Sequence, residues 1–261
     1  MLSALRNGLR KNELFMLYQP QYNIQSEELV SVEALVRWQS KELGGMISPG
    51  DFIPLAEESD LVALLGYHIL EQVFQQISHW LNDGVYIPKV AINISPRHLI
   101  QPDFIENLQH LANKYQIDAQ QVELEITETS LLDNPELALS VLTRLKALGF
   151  SLAIDDFGSG YSSFQYLKVM PINKLKIDRM FISELEHSKS DQAIIQSLVA
   201  IAQNLGFSLL AEGVETLGQL AILKREQVDL VQGFLYAKPL SAKDLADETK
   251  DSELSDRAFI S

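Results

Sequence analysis

Two adjacent carboxylates, Asp155 and Asp156, stand in AIDDFGSGYSS, residues 153–163, directly after residues that read as buried strand. Neighbouring acids repel each other and resist desolvation, so stability alone gives little reason for the pair. A cation among them would supply the reason. Six further segments carry a polar residue where a strand would end: Glu33, Asn93, Glu125, Lys176, Glu212 and Gln232. With Asp155 these make seven positions, four of them carboxylic acids. Hard oxygen ligands without His or Cys select Mg²⁺ or Mn²⁺, with Ca²⁺ as an alternative, over zinc or copper. An acid shared between two ions holds them about 3.5–4 Å apart, the arrangement suited to phosphoester cleavage. Lys176 adds a fixed positive charge to steady a developing negative oxygen or to orient an attacking water.

Each residue alone also has an ordinary reading. DDFGSG is a turn sequence with an Asx cap, and no Glu follows at the spacing of a calcium loop. Glu33 can pair with Arg37, and Lys176 can be a surface lysine lying along its own stem. What these readings leave unexplained is the shared position on consecutive strands. His68, His79, His98, His110 and His187 lie in helical or loop segments and none ends a strand, which argues against a histidine triad or a zinc site. Trp38 and Trp80 read as packing residues, and no GxGxxG or GxxxxGK[ST] phosphate loop is present.

The elements that must position these residues alternate. Segments 13–23, 29–38, 89–95, 122–128, 151–157, 174–178, 208–215 and 230–234 read as strands, with amphipathic stretches such as 135–150 and 190–207 between them. In the latter, Ile194, Leu198, Ile201 and Leu205 fall on one helical face, and Gly149 and Gly206 stand where helices end. Eight strands in roughly 250 residues fit a TIM-type (β/α)8 barrel, with a doubly wound open sheet as the alternative. The connection between the first two strands, around IQSEEL, is too short for a parallel crossover and predicts an antiparallel first strand. Alternation sets Ile92 and Ile94 against Asn93, and Leu152 and Ile154 against Asp155, so the apolar set faces outer helices and the polar set faces the barrel mouth. Lys174 shares the parity of Lys176, which alternation does not explain.

The chain of 261 residues is 46% hydrophobic, has no cysteine and carries a formal net charge of −14. No disulfide or Cys-based zinc site is possible, and a reducing, cytoplasmic compartment is the expectation. No apolar run has the length of a signal peptide or of a membrane span. The acidity argues against binding a nucleic acid polymer, and an anionic substrate can bind only where local cations reverse the field. One domain over 1–245 is expected, followed by an acidic tail over 246–261 that frays.

Seven blocks, EALVRW (33–38), NIS (93–95), ELEITE (123–128), DDFGSGYSS (155–163), KLKID (174–178), AEGVET (211–216) and QGFLYAKPL (232–240), resemble in order the signature blocks of EAL-domain cyclic di-GMP phosphodiesterases. The resemblance spans about residues 10–245. It implies a TIM barrel with an antiparallel first strand, hydrolysis of cyclic di-GMP to pGpG in bacterial second-messenger signalling, and two ions, Mg²⁺ or Mn²⁺. It implies that Glu33, Asn93, Glu125 and Asp155 hold the first ion, that Asp155 bridges to a second held with Asp156, and that Glu212 stands beside that ion as ligand or proton acceptor. Lys176 matches the lysine at the nucleophilic water and Gln232 the nearby glutamine. Arg37 matches an arginine at a substrate phosphate, Gln19 a contact to the dinucleotide, and Glu128 an anchor for the loop DFGSGYSS. That loop links the metal site to a homodimer interface in the family, formed by helices near strands five and six. Ser159 replaces a common Thr and keeps the hydroxyl.

Two rival readings accompany this one. A catalytically silent EAL domain would bind cyclic di-GMP or a partner protein as a receptor, but such domains commonly lack a metal-site acid. Another two-metal phosphoesterase on the same fold is the third possibility.

Overall fold

The computed structural model describes residues 1–128, 135–158 and 167–258, with side chains described as far as residue 250. Ser159 and the rest of DFGSGYSS beyond Gly158 lie outside the described residues. Among the described residues nine strands form: β1 (Leu14–Asn23), β2 (Leu29–Ser40), β3 (Gly45–Ile47), β4 (Val90–Ile94), β5 (Val122–Thr127), β6 (Ser151–Phe157), β7 (Lys174–Ile177), β8 (Ser208–Ala211) and β9 (Leu230–Val231). Their order is β1-β9-β8-β7-β6-β5-β4-β2-β3, and a further β1–β2 pairing closes eight of them into a barrel. β3 hangs on β2 outside the ring, an antiparallel addition that the sequence reading lacked.

β1 runs antiparallel to both of its neighbours. Every other adjacent pair in the ring is parallel. Only residues 24–28 join β1 to β2, too few to carry the chain back across the barrel. The register of this hairpin sets Gln19 opposite Glu33. Two expected strands end early: β8 stops at Ala211 and β9 at Val231, so Glu212 and Gln232 begin the turns at the barrel mouth.

Ile92, Ile94, Leu152 and Ile154 are at most 4% exposed and pack outward under the helices, each burial contributing about 1.5–3 kcal/mol. The helix Leu61–Asn82 turns Leu65, Val73, Phe74, Ile77 and Trp80 onto this core. In the helix Lys189–Leu205 the buried row is Ile195, Leu198, Val199 and Ala202. The expected row fails at Ile194 and Leu205, each 37% exposed. Apolar residues fill both rows, which lie one residue apart, so spacing alone does not choose between them. A helix, Ala242–Ala258, crosses residue 245, where the sequence reading ended the domain, and its first turn is held by buried Leu245 and by Trp80 Nε1 donating to Ala242 O at 3.2 Å. Among the described residues no helix is long and apolar enough to cross a membrane.

Candidate active site

Strict alternation along β6 would send Asp156 outward with Leu152 and Ile154. The structure avoids this with a bulge. The β6–β7 register slips between Ile154 and Phe157, and Asp156 takes a left-handed φ of 55°. Asp tolerates this conformation better than most residues, at a cost on the order of 1 kcal/mol. Bulges re-aim side chains beside functional sites. Asp156 N–H donates to Asp155 Oδ1 at 2.9 Å, and one oxygen each of Asp155, Asp156 and Glu212 fall within 4.8 Å of one another.

A second triplet shares Asp155. Oxygens of Glu33, Glu125 and Asp155 also lie within 4.8 Å of one another. Between the triplets sits Lys176, fully buried, with Nζ at 2.7 Å from Glu125 Oε2, 2.8 Å from Glu212 Oε1, 3.2 Å from Asp155 Oδ1 and 3.7 Å from Glu33 Oε2. The surface reading of this lysine is therefore overturned. Glu33 meets Lys176 rather than Arg37, whose Nη1 donates to Val36 O at 2.9 Å. Five carboxylates thus face one ammonium and leave four formal negative charges, the number two divalent ions carry.

The protonation pattern follows from burial and charge. Burial opposes ionisation of Glu33, yet Lys176 and the amides of Gln232 and Asn93 outweigh it and hold this acid below its usual range. Burial pushes Glu125 well up; Lys176 offsets part of this, and Glu33, Asp155 and Glu123 add repulsion. Glu212 is raised to about 8 and Asp156 to about 6, each mainly by burial and then by neighbouring acids, with Lys176 opposing both shifts. Burial would strip the proton from Lys176, but Glu125, Glu212, Glu33 and Asp155 together keep it charged. Glu125 Oε1 is buried and accepts no hydrogen bond. A buried carboxylate oxygen in that state calls for a proton or a cation, so the donor set fits a hard divalent ion.

Three glutamines support Glu33. Gln232 Nε2 donates to Glu33 Oε2 at 2.6 Å and to Gln19 Oε1 at 3.1 Å, while Gln21 Nε2 donates to Gln232 Oε1 at 2.8 Å. Gly233 permits this placement, since a Cβ there would stand 2.1 Å from Val214 O. The turn after β8, which carries Val214, runs into the helix Leu217–Arg225 through a capping box between Thr216 and Gln219. Asn93 Nδ2 donates to Glu33 Oε1 at 2.7 Å. Glu128 Oε2 accepts from Gly158 N at 3.0 Å, at the start of the loop it was expected to anchor.

One layer deeper lies a polar group that sequence reasoning missed. Lys174 Nζ donates to Glu123 Oε1 at 2.5 Å and to Gln21 Oε1 at 3.0 Å, and Ser31 Oγ donates to Gln21 Oε1 at 2.5 Å. Ala91 pairs with Glu123 and Ala153 with Lys174, small residues that leave room inside the ring. The parity of Lys174 with Lys176 was the signal that could have found it. Asp178 was also missed; its charge contributes to the raised pKa of Asp156.

A cavity of about 340 Å³ opens over these groups, lined in part by Gln19, Glu33, Asp155, Glu212, Gln232 and Phe234. A mainly apolar cavity of about 380 Å³ adjoins it, sharing Leu35 and Asn93 and reaching Arg37, Pro49 and Ile53. None of the five histidines belongs to either acidic triplet among the described residues.

The EAL domain family model matches residues 2–239. The chain is 36% identical over 245 residues to the bifunctional diguanylate cyclase/cyclic di-GMP phosphodiesterase MucR of Pseudomonas aeruginosa, covering 94% of this chain and 36% of that protein. It is 38% identical over 238 residues to the cyclic di-GMP phosphodiesterase PdeR of Escherichia coli K12, covering 91% of this chain and 36% of the relative. The chain therefore spans about a third of the length of these curated relatives. Among solved structures, the PaMucR phosphodiesterase in complex with c-di-GMP superposes with a TM-score of 0.89 at 36% identity, covering 94% of this chain and 98% of the other. The EAL enzyme Bd1971 with cAMP and cyclic di-GMP bound superposes with a TM-score of 0.88 at 30% identity, covering 95% and 67%.

Proposed function

The chain belongs to the EAL domain family, and on that premise we propose that residues 1–245 hydrolyse cyclic di-GMP to linear pGpG with two divalent ions, Mg²⁺ or Mn²⁺. The observation that carries the reading is the pair of acidic triplets sharing Asp155 around a buried lysine, with Glu125 Oε1 left unpartnered. Glu33, Asn93, Glu125 and Asp155 would hold one ion, and Asp155, Asp156 and Glu212 the other. Bound there, the ions supply the positive charge that the chain's −14 lacks and lower the pKa of water towards neutrality.

The chain's own residues do the positioning. Lys176, charged and donor-only, would hold the oxygen of the attacking water in line with phosphorus. Gln232 keeps Glu33 ionised, and Arg37 and Gln19 engage the dinucleotide, whose apolar faces match the adjoining cavity. Water adds to phosphorus, the 3′ oxygen leaves with a proton, and the ring opens. Glu128, next to β5, holds Gly158 at the end of β6 by accepting from its N–H. The exposed Ile194 and Leu205 on the helix Lys189–Leu205 support a homodimer through that face, which light scattering with and without substrate would test. The cysteine-free chain suits a cytoplasmic site of action, and residues 246–261 form an appendage to the catalytic unit.

The test is product chromatography. The purified chain with Mg²⁺ or Mn²⁺ converts cyclic di-GMP to pGpG, and Glu33→Ala abolishes turnover. Intact substrate under both metals would instead favour a receptor.

A further inference from the structure

Amide side chains can be turned by 180° with little change of shape, so something must decide which end of Gln232 faces Glu33. Two anchors in the structure decide it from opposite sides. From below, Lys174 and Ser31 both donate to Gln21 Oε1, at 3.0 Å and 2.5 Å. Lysine has no acceptor, so the Gln21 oxygen must face it and the Gln21 NH₂ must face Gln232. From the side, Gln19 Nε2 donates to the backbone carbonyl of Ala237 at 3.1 Å, which turns Gln19 Oε1 towards Gln232. Each anchor demands that the Gln232 NH₂ point at Glu33. Gln19, Gln21, Ser31, Lys174 and Gln232 are all at most 8% exposed, so water does not offer an easy substitute.

We propose that Gln21 is a positioning residue for metal binding: it transmits the fixed polarity of Lys174 through Gln232 to Glu33, so that Glu33 always receives an N–H that seats its carboxylate as a ligand. Gln21 is bonded to Gln232, Ser31 and Lys174 and does not line the cavity above. This rests on the functional reading given above, in which Glu33 is a metal ligand.

The test is Mn²⁺ affinity of the purified chain by isothermal titration, in wild type, Gln21→Glu and Gln21→Met. Gln21→Glu keeps the shape and the bonds from Lys174 and Ser31 but removes the N–H that Gln232 accepts. Gln232 Oε1 then meets a carboxylate oxygen while Gln19 still holds its NH₂, so Gln232 is pushed off its seat and its N–H bond to Glu33 lengthens. Loss of a supporting hydrogen bond behind a ligand typically weakens metal binding about 10–100-fold, and that is the loss expected. An added carboxylate acting only through its field would tighten Mn²⁺ instead, so the two explanations predict opposite signs. Gln21→Met, which leaves the Gln19 anchor in place, loses less, about three- to tenfold. In ¹⁵N-glutamine-labelled protein without metal, the Gln232 amide proton bonded to Glu33 resonates downfield in wild type and moves upfield in Gln21→Glu. Unchanged or tighter Mn²⁺ binding by Gln21→Glu, or by Gln21→Met should the first variant not fold, overturns the proposal. A wild-type chain that binds no Mn²⁺ overturns the functional reading and this proposal with it, whereas a binding wild type with indifferent variants overturns the proposal alone.

Discussion

Replacing Lys176 with Met separates stability from chemistry. Lys176 is 0% exposed, and its ammonium lies within 3.7 Å of four carboxylates. Methionine fills most of the volume but leaves those acids facing one another without a cation. Removing one partner of a buried ion pair costs about 3–5 kcal/mol. For a domain of this size each kcal/mol lowers Tm by roughly 2–4 °C, so a fall of about 6–20 °C is expected in EDTA. Saturating Mn²⁺ stabilises both proteins by mass action but the variant more, because acids without the ammonium bind the ions more tightly; each hundredfold in Kd is worth about 2.7 kcal/mol. The gap between variant and wild type should therefore shrink by half or more in Mn²⁺, while turnover stays lost. Protonating the acids should narrow the gap too, so it is smaller at pH 5 than at pH 8. Differential scanning calorimetry in EDTA and in Mn²⁺ reads all of this. A variant melting within about 2 °C of wild type in EDTA would refute the reasoning, because Lys176 would then hold nothing together.

Three other expectations follow from the same geometry. Burial raises Glu212 to about 8 and Asp156 to about 6, so the metal-free fold binds protons that the unfolded chain has released; its stability falls as pH rises from about 4 through 8, and Mn²⁺ binding at pH 7 ejects protons, visible as buffer-dependent titration heats. Asp156→Gly relieves the φ of 55° and removes an acid from the crowded rim, so Tm in EDTA rises by about 1–4 °C while cyclic di-GMP turnover drops at least about a hundredfold in the chromatographic assay. Gly233→Ala drives a Cβ to 2.1 Å from Val214 O, displaces Gln232, and lowers Mn²⁺ affinity in titration by about tenfold or more, whereas Gly84→Ala, with open space around it, leaves affinity unchanged.

The barrel and its acids were legible because each depends on a short-range rule. Loop length gave the antiparallel β1, since residues 24–28 can only make a hairpin. Strand parity placed Glu125, Asp155 and Lys176 on one face, and burial preferences placed Ile92 and Ile154 on the other. Asp156 broke parity because a bulge at a positive φ is a property of two paired strands, not of one segment. Lys174 looked anomalous for a related reason: its partners Gln21 and Glu123 lie 153 and 51 residues away, and only the closed ring brings them together. The face of the helix Lys189–Leu205 was misread because apolar residues occupy two neighbouring rows and the choice belongs to what packs beneath. Arg37 was the nearest cation to Glu33 along the chain, and the barrel gave Glu33 Lys176 instead.

Manganese soaked into crystals of the chain addresses the central claim directly. Anomalous diffraction should show two peaks about 3.5–4 Å apart, one among Glu33, Glu125 and Asp155 and one among Asp155, Asp156 and Glu212. Anomalous density confined to places away from Asp155 would contradict it.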